Sequence, residues 1–438
     1  MQVSVEALEG LTRKMRVAVP SDDFQSAYQK SVRQLARTVQ LKGFRRGKVP
    51  LRIVEQQFGA RARQDALTEV LESTYPAALK QTDIKPAGQP EIDFESMEGE
   101  EIVYTATFDV YPDIQLSGLD GLKLEDAQTE IVDADVDRVI EGLREQRKSW
   151  PEKSGPAAEG DRVKIDFSGR IDGEEFAGGS GTDQQIVLGQ GRFLPALEEG
   201  IVGMQAGDEK VVDVTFPEDY HNEDLREKTA AFSVTLHAVE TPELPEIDEA
   251  FVESLGVKEG GEEALRTQIR ENLERERVKL AVQWRKLQVL EGVLQANPIP
   301  VPAPVLADEV QRLRGETVRN MNMGGRGLSE EQLAQMIPDA ALEPQAQRRA
   351  ALGLLLGEII KTEKVQVDEA KVEERLREMA ADYEESEAAL SYYRGNQQFM
   401  SGLRAVVLED QVVDMLAQRA TVTPVSLSFE ELGQKVRG

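Results

Sequence analysis

Hydrophobic and polar positions change their period several times along this chain. In "LTRKMRVAVP" (11–20), Leu11, Arg13, Met15, Val17 and Val19 alternate with the rest, the period-two pattern of a strand. The period then lengthens: Phe24, Tyr28, Val32, Leu35 and Val39 recur at helical spacing. Ser21 is placed to cap that helix, with Asp22 and Asp23 in its first turn. Pro50 suits the first position of a short helix running to Phe58 and ended by Gly59; another helix follows to about Leu79. In "EIVYTATFDVYP" (101–112), Ile102, Tyr104, Ala106, Phe108 and Val110 alternate again. Residues 1–112 therefore read as an α+β domain.

Residues 113–149 read as a connector, with a helix that turns Val136, Ile140 and Leu143 inward. "PEKSGPAAEGD" (151–161) marks a boundary by its proline, glycine and charge. From 161 to 241 glycine is dense and separates short β-rich runs such as "RVKIDFSG", "EKVVDVTFP" and "AAFSVTLHAVE". This predicts a small antiparallel β domain, residues 150–245, with one short helix around "LPALEEGIV". Residues 246–438 read as all-helical. Helices fit 262–296, 304–320, 329–336, 340–363, 368–381 and 396–419, and "NPIPVPAP" (297–304) stops one and launches the next. The fold class is multidomain α+β.

Composition narrows the functional classes. The chain has 438 residues, 40% hydrophobic and 30% charged, and no cysteine, so no disulfide framework or thiolate chemistry is open to it. The start "MQVSVEALEG" does not look like a signal peptide. The most apolar run, 350–360, is about half the ~20 residues a membrane span needs. A soluble cytoplasmic protein without membrane contact is the expectation. A net charge of −28 argues against general affinity for nucleic acid.

One segment reverses that charge. From Tyr28 to Arg63 there are ten cations and a single acid, Glu55, a local charge of +9 over 36 residues. At its centre stands "LKGFRRGKVP" (41–50). Arg45 and Arg46 can fork onto phosphate or carboxylate, and Lys42 and Lys48 add point charge. Gly43 and Gly47 let the backbone turn tightly, and Phe44 can stack on a base or fill an apolar pocket. On the residues alone the partner stays open between RNA and an acidic protein surface.

"GFRRGKVP" resembles the motif of the trigger factors, bacterial ribosome-associated chaperones; Arg46 stands where that family often has lysine. The resemblance implies docking beside the exit tunnel of the large ribosomal subunit, onto protein and ribosomal RNA. It gives Phe44, Arg45 and Arg46 the contact role, with Gly43, Gly47, Lys48 and Pro50 shaping the loop.

The glycine-rich region shows no Ser–His–Asp set. Its His221 and His237 are the only histidines, and "GQG" with "GGSG" lacks the Lys-Ser/Thr of a phosphate loop. Neither metal nor cofactor is expected. The order of "VKIDFSG", "DGEEF", "VLGQGRFLPALEEGIVGM", "GDEKVV" and "PEDYHNEDL" resembles the FKBP-type peptidyl-prolyl isomerases. That resemblance implies a prolyl cleft lined by Phe167, Phe176, Phe193, Leu194, Leu197, Tyr220 and Phe232. Two positions depart from the pattern. Leu197 stands where many FKBPs have tryptophan and trigger factors usually phenylalanine, and Ala177 stands where an acid usually follows "EEF". Both leave the level of isomerase activity to measurement, while a binding cleft is expected regardless.

For residues 246–438 the resemblance implies a central body with two arm-like helical hairpins that cradle nascent and unfolded chains. "RNMNMGGRG" (319–327) reads as a Met-bearing loop adaptable to varied apolar partners. The three parts together resemble an ATP-independent holding chaperone with an isomerase domain; the family reading also allows a homodimer off the ribosome. The alternatives are an RNA-binding protein using residues 28–63 and a stand-alone prolyl isomerase.

Overall fold

The computed structural model describes the chain except residues 42–43, 46, 97–100, 219, 221, 223–224, 324–328, 330, 333–336, 382–385 and 438, and except the side chains of 177, 322 and 323. It divides into two units, residues 1–126 with 282–425, and residues 127–281 with 426–438.

In the first unit, β1 (Gln2–Ala7), β2 (Thr12–Pro20), β3 (Glu91–Ser96) and β4 (Glu101–Asp109) form an antiparallel sheet in the order β1-β2-β4-β3. The alternation of 11–20 and 101–112 is what makes it: Val17 lies opposite Tyr104 and Met15 opposite Ala106, all four buried. β1 and β3 complete the sheet at its edges. Two helices, α1 (Ser21–Thr38) and α2 (Leu51–Thr82), close over it with Phe24, Ala27, Ala66 and Val70. A separate cluster of Val32, Leu35, Ala36, Val49, Val54 and Ala62 joins α1 to the start of α2.

Two details of this region differ from the sequence reading. Pro20, in extended conformation, occupies the cap position of α1, and Ser21 is already helical, so the cap has no side-chain hydrogen bond. Pro50 likewise precedes α2, and α2 is one helix running straight through Gly59. An internal helical glycine costs only ~1 kcal/mol, less than the burial gained by keeping Val54, Ala62, Ala66 and Val70 on one continuous face.

The rest of this unit is mainly helical: the last part of α6 (Gly261–Ala296), then α7 (Ala303–Met323), α8 (Asp339–Glu363), α9 (Glu369–Ala380), α10 (Ser386–Gly395) and α11 (Gln397–Arg419). Leu122, Leu124, Val289, Val293, Leu355, Ile359, Val412 and Leu416 form its core. Buried Asn297 accepts from the Ser117 N–H (2.7 Å) and donates to the Ser117 carbonyl (3.1 Å), pinning the connector to the end of α6. Val310 and Leu313 of α7 pack on Leu342 and Ala346 of α8, and α9, α10 and α11 share Val372, Leu376, Leu390, Leu403 and Val407. The helix read at 329–336 falls largely outside the described residues. The stretch beyond 246 is not all helix: β10 (Thr421–Ser426) pairs with β5 (Lys123–Gln128). Pro424 hid this strand, since proline is tolerated only where a strand lies at an edge.

In the second unit, β6 (Arg162–Ile171), β7 (Glu174–Val187), β8 (Glu209–Thr215) and β9 (Thr229–Glu240) form an antiparallel sheet in the order β7-β6-β9-β8, with the short α4 (Pro195–Ile201) packed on it. The segment before this sheet bridges to the sheet's last strand and to the segment after it, Glu152 to Glu240 at the end of β9 and Ser149 to Glu243. A helical cluster of α3 (Asp133–Gln146), α5 (Glu249–Ser254), the first part of α6 and α12 (Phe429–Arg437) buries Val136, Ile140, Phe251, Leu265 and Ile269. Among the described residues, no helix is long and apolar enough to cross a membrane.

The uninterrupted α2 makes a prediction. A Cβ at Gly59 would come no nearer than 3.4 Å to the Tyr28 hydroxyl, an ordinary contact. Gly59→Ala is expected to stabilise the α1–α2 pair by about 0.5–1 kcal/mol. Slower amide hydrogen exchange in both helices is the expected readout; faster exchange would mean that glycine is needed there.

Candidate functional site

Val163, Ile165, Val234 and Leu236 of the second unit's sheet are buried together with Leu197 and Ile201 of α4. Beside this aliphatic core the packing turns aromatic. Phe167 meets Phe193 edge to face at 5.3 Å between ring centres, and Phe232 at 6.2 Å. Phe176 stands edge-on to Phe232 at 6.1 Å and to Phe216 at 5.9 Å, and Phe216 lies 4.8 Å from Tyr220. Such edge-to-face pairs are the favoured aromatic geometry.

The structure thus brings Phe167, Phe176, Phe193, Tyr220 and Phe232 into one chain of ring contacts. Phe232 is buried; Phe167, Phe176, Phe193 and Tyr220 are half-buried and present ring surface outward. Leu194 is half-buried at the start of α4, while Leu197 is 1% exposed and lies wholly in the core. The side chain of Ala177 lies outside the described residues. Phe216 was not singled out from the sequence, although an aromatic directly after the "VVDVT" strand was the available signal.

Glycine makes this arrangement possible by close approach. A Cβ at Gly169 would fall 2.6 Å from the Phe232 ring, so that ring lies directly on the β6 backbone. Gly181 serves Phe167 in the same way, at 2.8 Å. The glycines read as turn markers are partly beds for rings.

Two carboxylates brace the domain. Asp161 accepts from Lys153 Nζ (2.6 Å) and from the Ala158 N–H (2.9 Å). Burial pushes its carboxyl up, but these bonds outweigh burial and hold it below the ordinary 3.8. Its contribution to stability is thus present above 3.8 and lost as pH falls through the lower folded value. Asp166 accepts from the Asp183 N–H (2.7 Å) and meets His237 Nε2 at 2.9 Å, and both bonds lower its carboxyl. His237 is an exposed strand residue, and His221 lies outside the described residues. Among the described residues, no cluster of His, Cys, Asp or Glu could hold a metal ion.

The basic segment folds as the loop between α1 and α2. Leu41 and Val49, one on each side, pack into the cluster that joins the two helices. Between them the Phe44 N–H donates to the Leu41 carbonyl (3.1 Å) and the Lys48 N–H to the Arg45 carbonyl (2.9 Å). Gly47 has φ +77°, a left-handed turn that suits glycine. Phe44 is 39% exposed at the tip, and Arg45, Lys48 and Pro50 are exposed around it. Gly43 and Arg46, with Lys42, lie outside the described residues. Lys30 pairs with Glu69 at 2.5 Å. Arg33, Arg37, Arg45, Lys48, Arg52, Arg61 and Arg63 are all exposed, and no ion pair is found for them among the described residues. Tyr28 and Phe58, the segment's other aromatics, are packed against the interhelical cluster.

The four-stranded antiparallel sheet with its short helix and partly exposed aromatic cluster is an isomerase domain of the FKBP class, as the family comparison shows. Residues 153–237 match the family model described as FKBP-type peptidyl-prolyl cis-trans isomerase. Residues 1–143 match that of the bacterial trigger factor protein and residues 263–418 that of its C-terminus. The trigger factor of Alkalilimnicola ehrlichii is 43% identical over 433 residues, covering 99% of this chain and 95% of its own. That of Thioalkalivibrio sulfidiphilus is 43% identical over 433 residues, with 99% and 98% covered. A solved trigger factor chaperone structure covers 95% of this chain and 99% of its own at 20% identity, with a TM-score of 0.46. The chain belongs to the trigger factor family, chaperones with a ribosome-binding N-terminal domain and an FKBP-type peptidyl-prolyl cis-trans isomerase domain. Membership implies binding to ribosomes and nascent chains.

The close approach of Phe232 to β6 can be tested. Gly169→Ala is expected to destabilise the sheet by about 1–3 kcal/mol, because neither ring nor backbone has room to give. Urea unfolding followed by near-ultraviolet circular dichroism measures it; an unchanged midpoint would show that Phe232 does not rest on that backbone.

Proposed function

We propose that this chaperone docks beside the ribosomal exit tunnel through the tip of the α1–α2 loop. Phe44, Arg45 and Arg46 make the contact, and Gly43, Gly47, Lys48 and Pro50 shape it. The observation that carries this reading is an exposed phenylalanine among exposed cations for which no ion pair is found among the described residues, in a chain of net charge −28. Ribosomal RNA supplies the phosphates for the arginines, and ribosomal protein supplies an apolar pocket for Phe44. The chain works in the cytoplasm. Off the ribosome, homodimer formation belongs to the same reading, since the exposed Phe44 is then left uncovered.

Residues 1–112 are assigned to docking, 113–149 to the connector, 150–245 to isomerisation and 246–438 to holding clients without ATP. Val278, Val282, Met321, Met379, Tyr392 and Val406 are exposed on the helices, and such scattered apolar surface suits weak, promiscuous binding. A stand-alone isomerase would leave that surface idle. An RNA-binding protein would need more stacking aromatics than Phe44, because Phe58 is engaged in the interhelical cluster.

The prolyl residue enters the cleft of Phe167, Phe176, Phe193, Leu194, Tyr220 and Phe232, over a floor that includes Leu197. Rotation of an X–Pro bond faces a barrier of ~18–20 kcal/mol, set by amide resonance. Water hydrogen-bonds the planar amide and favours it. An apolar wall removes that water and packs on the proline ring, so the twisted amide is favoured relative to the planar one. No nucleophile takes part.

Two measurements test these assignments. Purified ribosomes should carry down the parent chain and at least tenfold less of the Phe44→Ala/Arg45→Ala/Arg46→Ala chain; equal co-sedimentation would remove the docking role. Phe193→Ala should lower kcat/KM on X–Pro peptides about tenfold, and a rate equal to the parent's would sink the cleft assignment.

A further inference from the structure

The loop from Gly189 to Leu194 carries two residues of the cleft, Phe193 and Leu194, yet it is mostly exposed. Gly189 and Gly191 both have positive φ, +88° and +67°, so the chain turns sharply there. One side chain ties both halves of the loop to the helix that follows. Glu198 Oε2 accepts from the Gly189 N–H (2.8 Å), and Oε1 accepts from the Phe193 N–H (3.0 Å). Glu198 is only 5% exposed and directly follows the buried Leu197 in α4.

Burying a carboxylate is costly unless hydrogen bonds compensate it. Here the side chain offers what its neighbours in chemistry cannot. A carboxylate has two acceptor oxygens and no donor, so it holds two N–H groups at once. Glutamine would turn one of its own N–H groups toward a backbone N–H, and leucine would leave both donors unpaired. The fixed N–H of Phe193 sets where its ring leaves the backbone, and that ring stands edge to face on Phe167.

We infer that Glu198 is a positioning residue for isomerisation: its carboxylate holds the Gly189 and Phe193 amides and so sets the Phe193 wall of the prolyl cleft. The inference rests on the assignment of that cleft to Phe193 and its neighbours. Glu198 itself touches no substrate.

The test uses the intact chain, labelled with nitrogen-15, as parent, Glu198→Gln, Glu198→Asp and Phe193→Ala. Glu198→Gln should lower kcat/KM on X–Pro peptides about tenfold, with a fall in kcat as well as a rise in KM, since a displaced wall both holds the proline less well and favours the twisted amide less. The Gly189 and Phe193 amide resonances should move while those of β6 and β9 stay in place. Glu198→Asp, which keeps two acceptor oxygens on a shorter arm, should recover part of the loss. Parent-like kinetics in Glu198→Gln, with Phe193→Ala impaired, overturns the inference and leaves the cleft assignment standing. Parent-like kinetics in Phe193→Ala overturns both. Unmoved amides, or loss of cooperative melting of the isomerase domain in Glu198→Gln, makes Glu198 a folding residue and overturns the positioning role.

Discussion

Two loops of this chain are each pinned at both ends by packed aliphatic side chains, buried or partly buried. Leu41 and Val49 bracket the basic tip between α1 and α2. Leu188 and Leu197, each 1% exposed, bracket the loop that carries Phe193 and Leu194. Pinning shortens the free chain to a few residues, and the entropy of ordering a loop falls with the length left free. Polar, glycine-bearing tips can then present Phe44 or Phe193 in a defined place, although neither tip has a core of its own. The helices and sheets supply the rigid posts, and the proposed contacts sit on the short spans between them.

Charge adds a second constraint of longer reach. A chain at −28 is repelled by a polyanion at a distance, and the +9 segment attracts one only near contact. At physiological salt the screening length is about 8 Å, so the two effects separate in space. An approach that leads with the α1–α2 segment meets local positive charge. Local positive charge in an otherwise acidic chain is an arrangement by which electrostatics more often sets specificity than affinity.

Much of this was legible because its signals are local. Alternation at 11–20 and 101–112 marked the central strands of the first sheet, and the order of apolar motifs from 161 to 241 marked the second. What was missed depended on partners distant in sequence. Gly59 looked like a stop, but burial on both sides of it carries α2 through. β10 contains a proline and exists because β5, about 300 residues earlier, accepts it as a partner. Ser21 has the chemistry of a cap, yet Pro20 takes that place. Five members of the aromatic cluster, Phe167, Phe176, Phe193, Tyr220 and Phe232, were named from the sequence. Phe216 was missed although its place directly after β8 was a signal, whereas Gly169, Gly181 and Glu198 could not be named, because their importance lies in which ring or amide they meet.

The antiparallel bridges of Ser149 with Glu243 and of Glu152 with Glu240 bring the two ends of the isomerase sheet side by side. Topologically the sheet is a cassette on a two-stranded neck. A cassette of this kind can be inserted, exchanged or excised with only a short splice, because the host strands on either side already lie within a turn of each other.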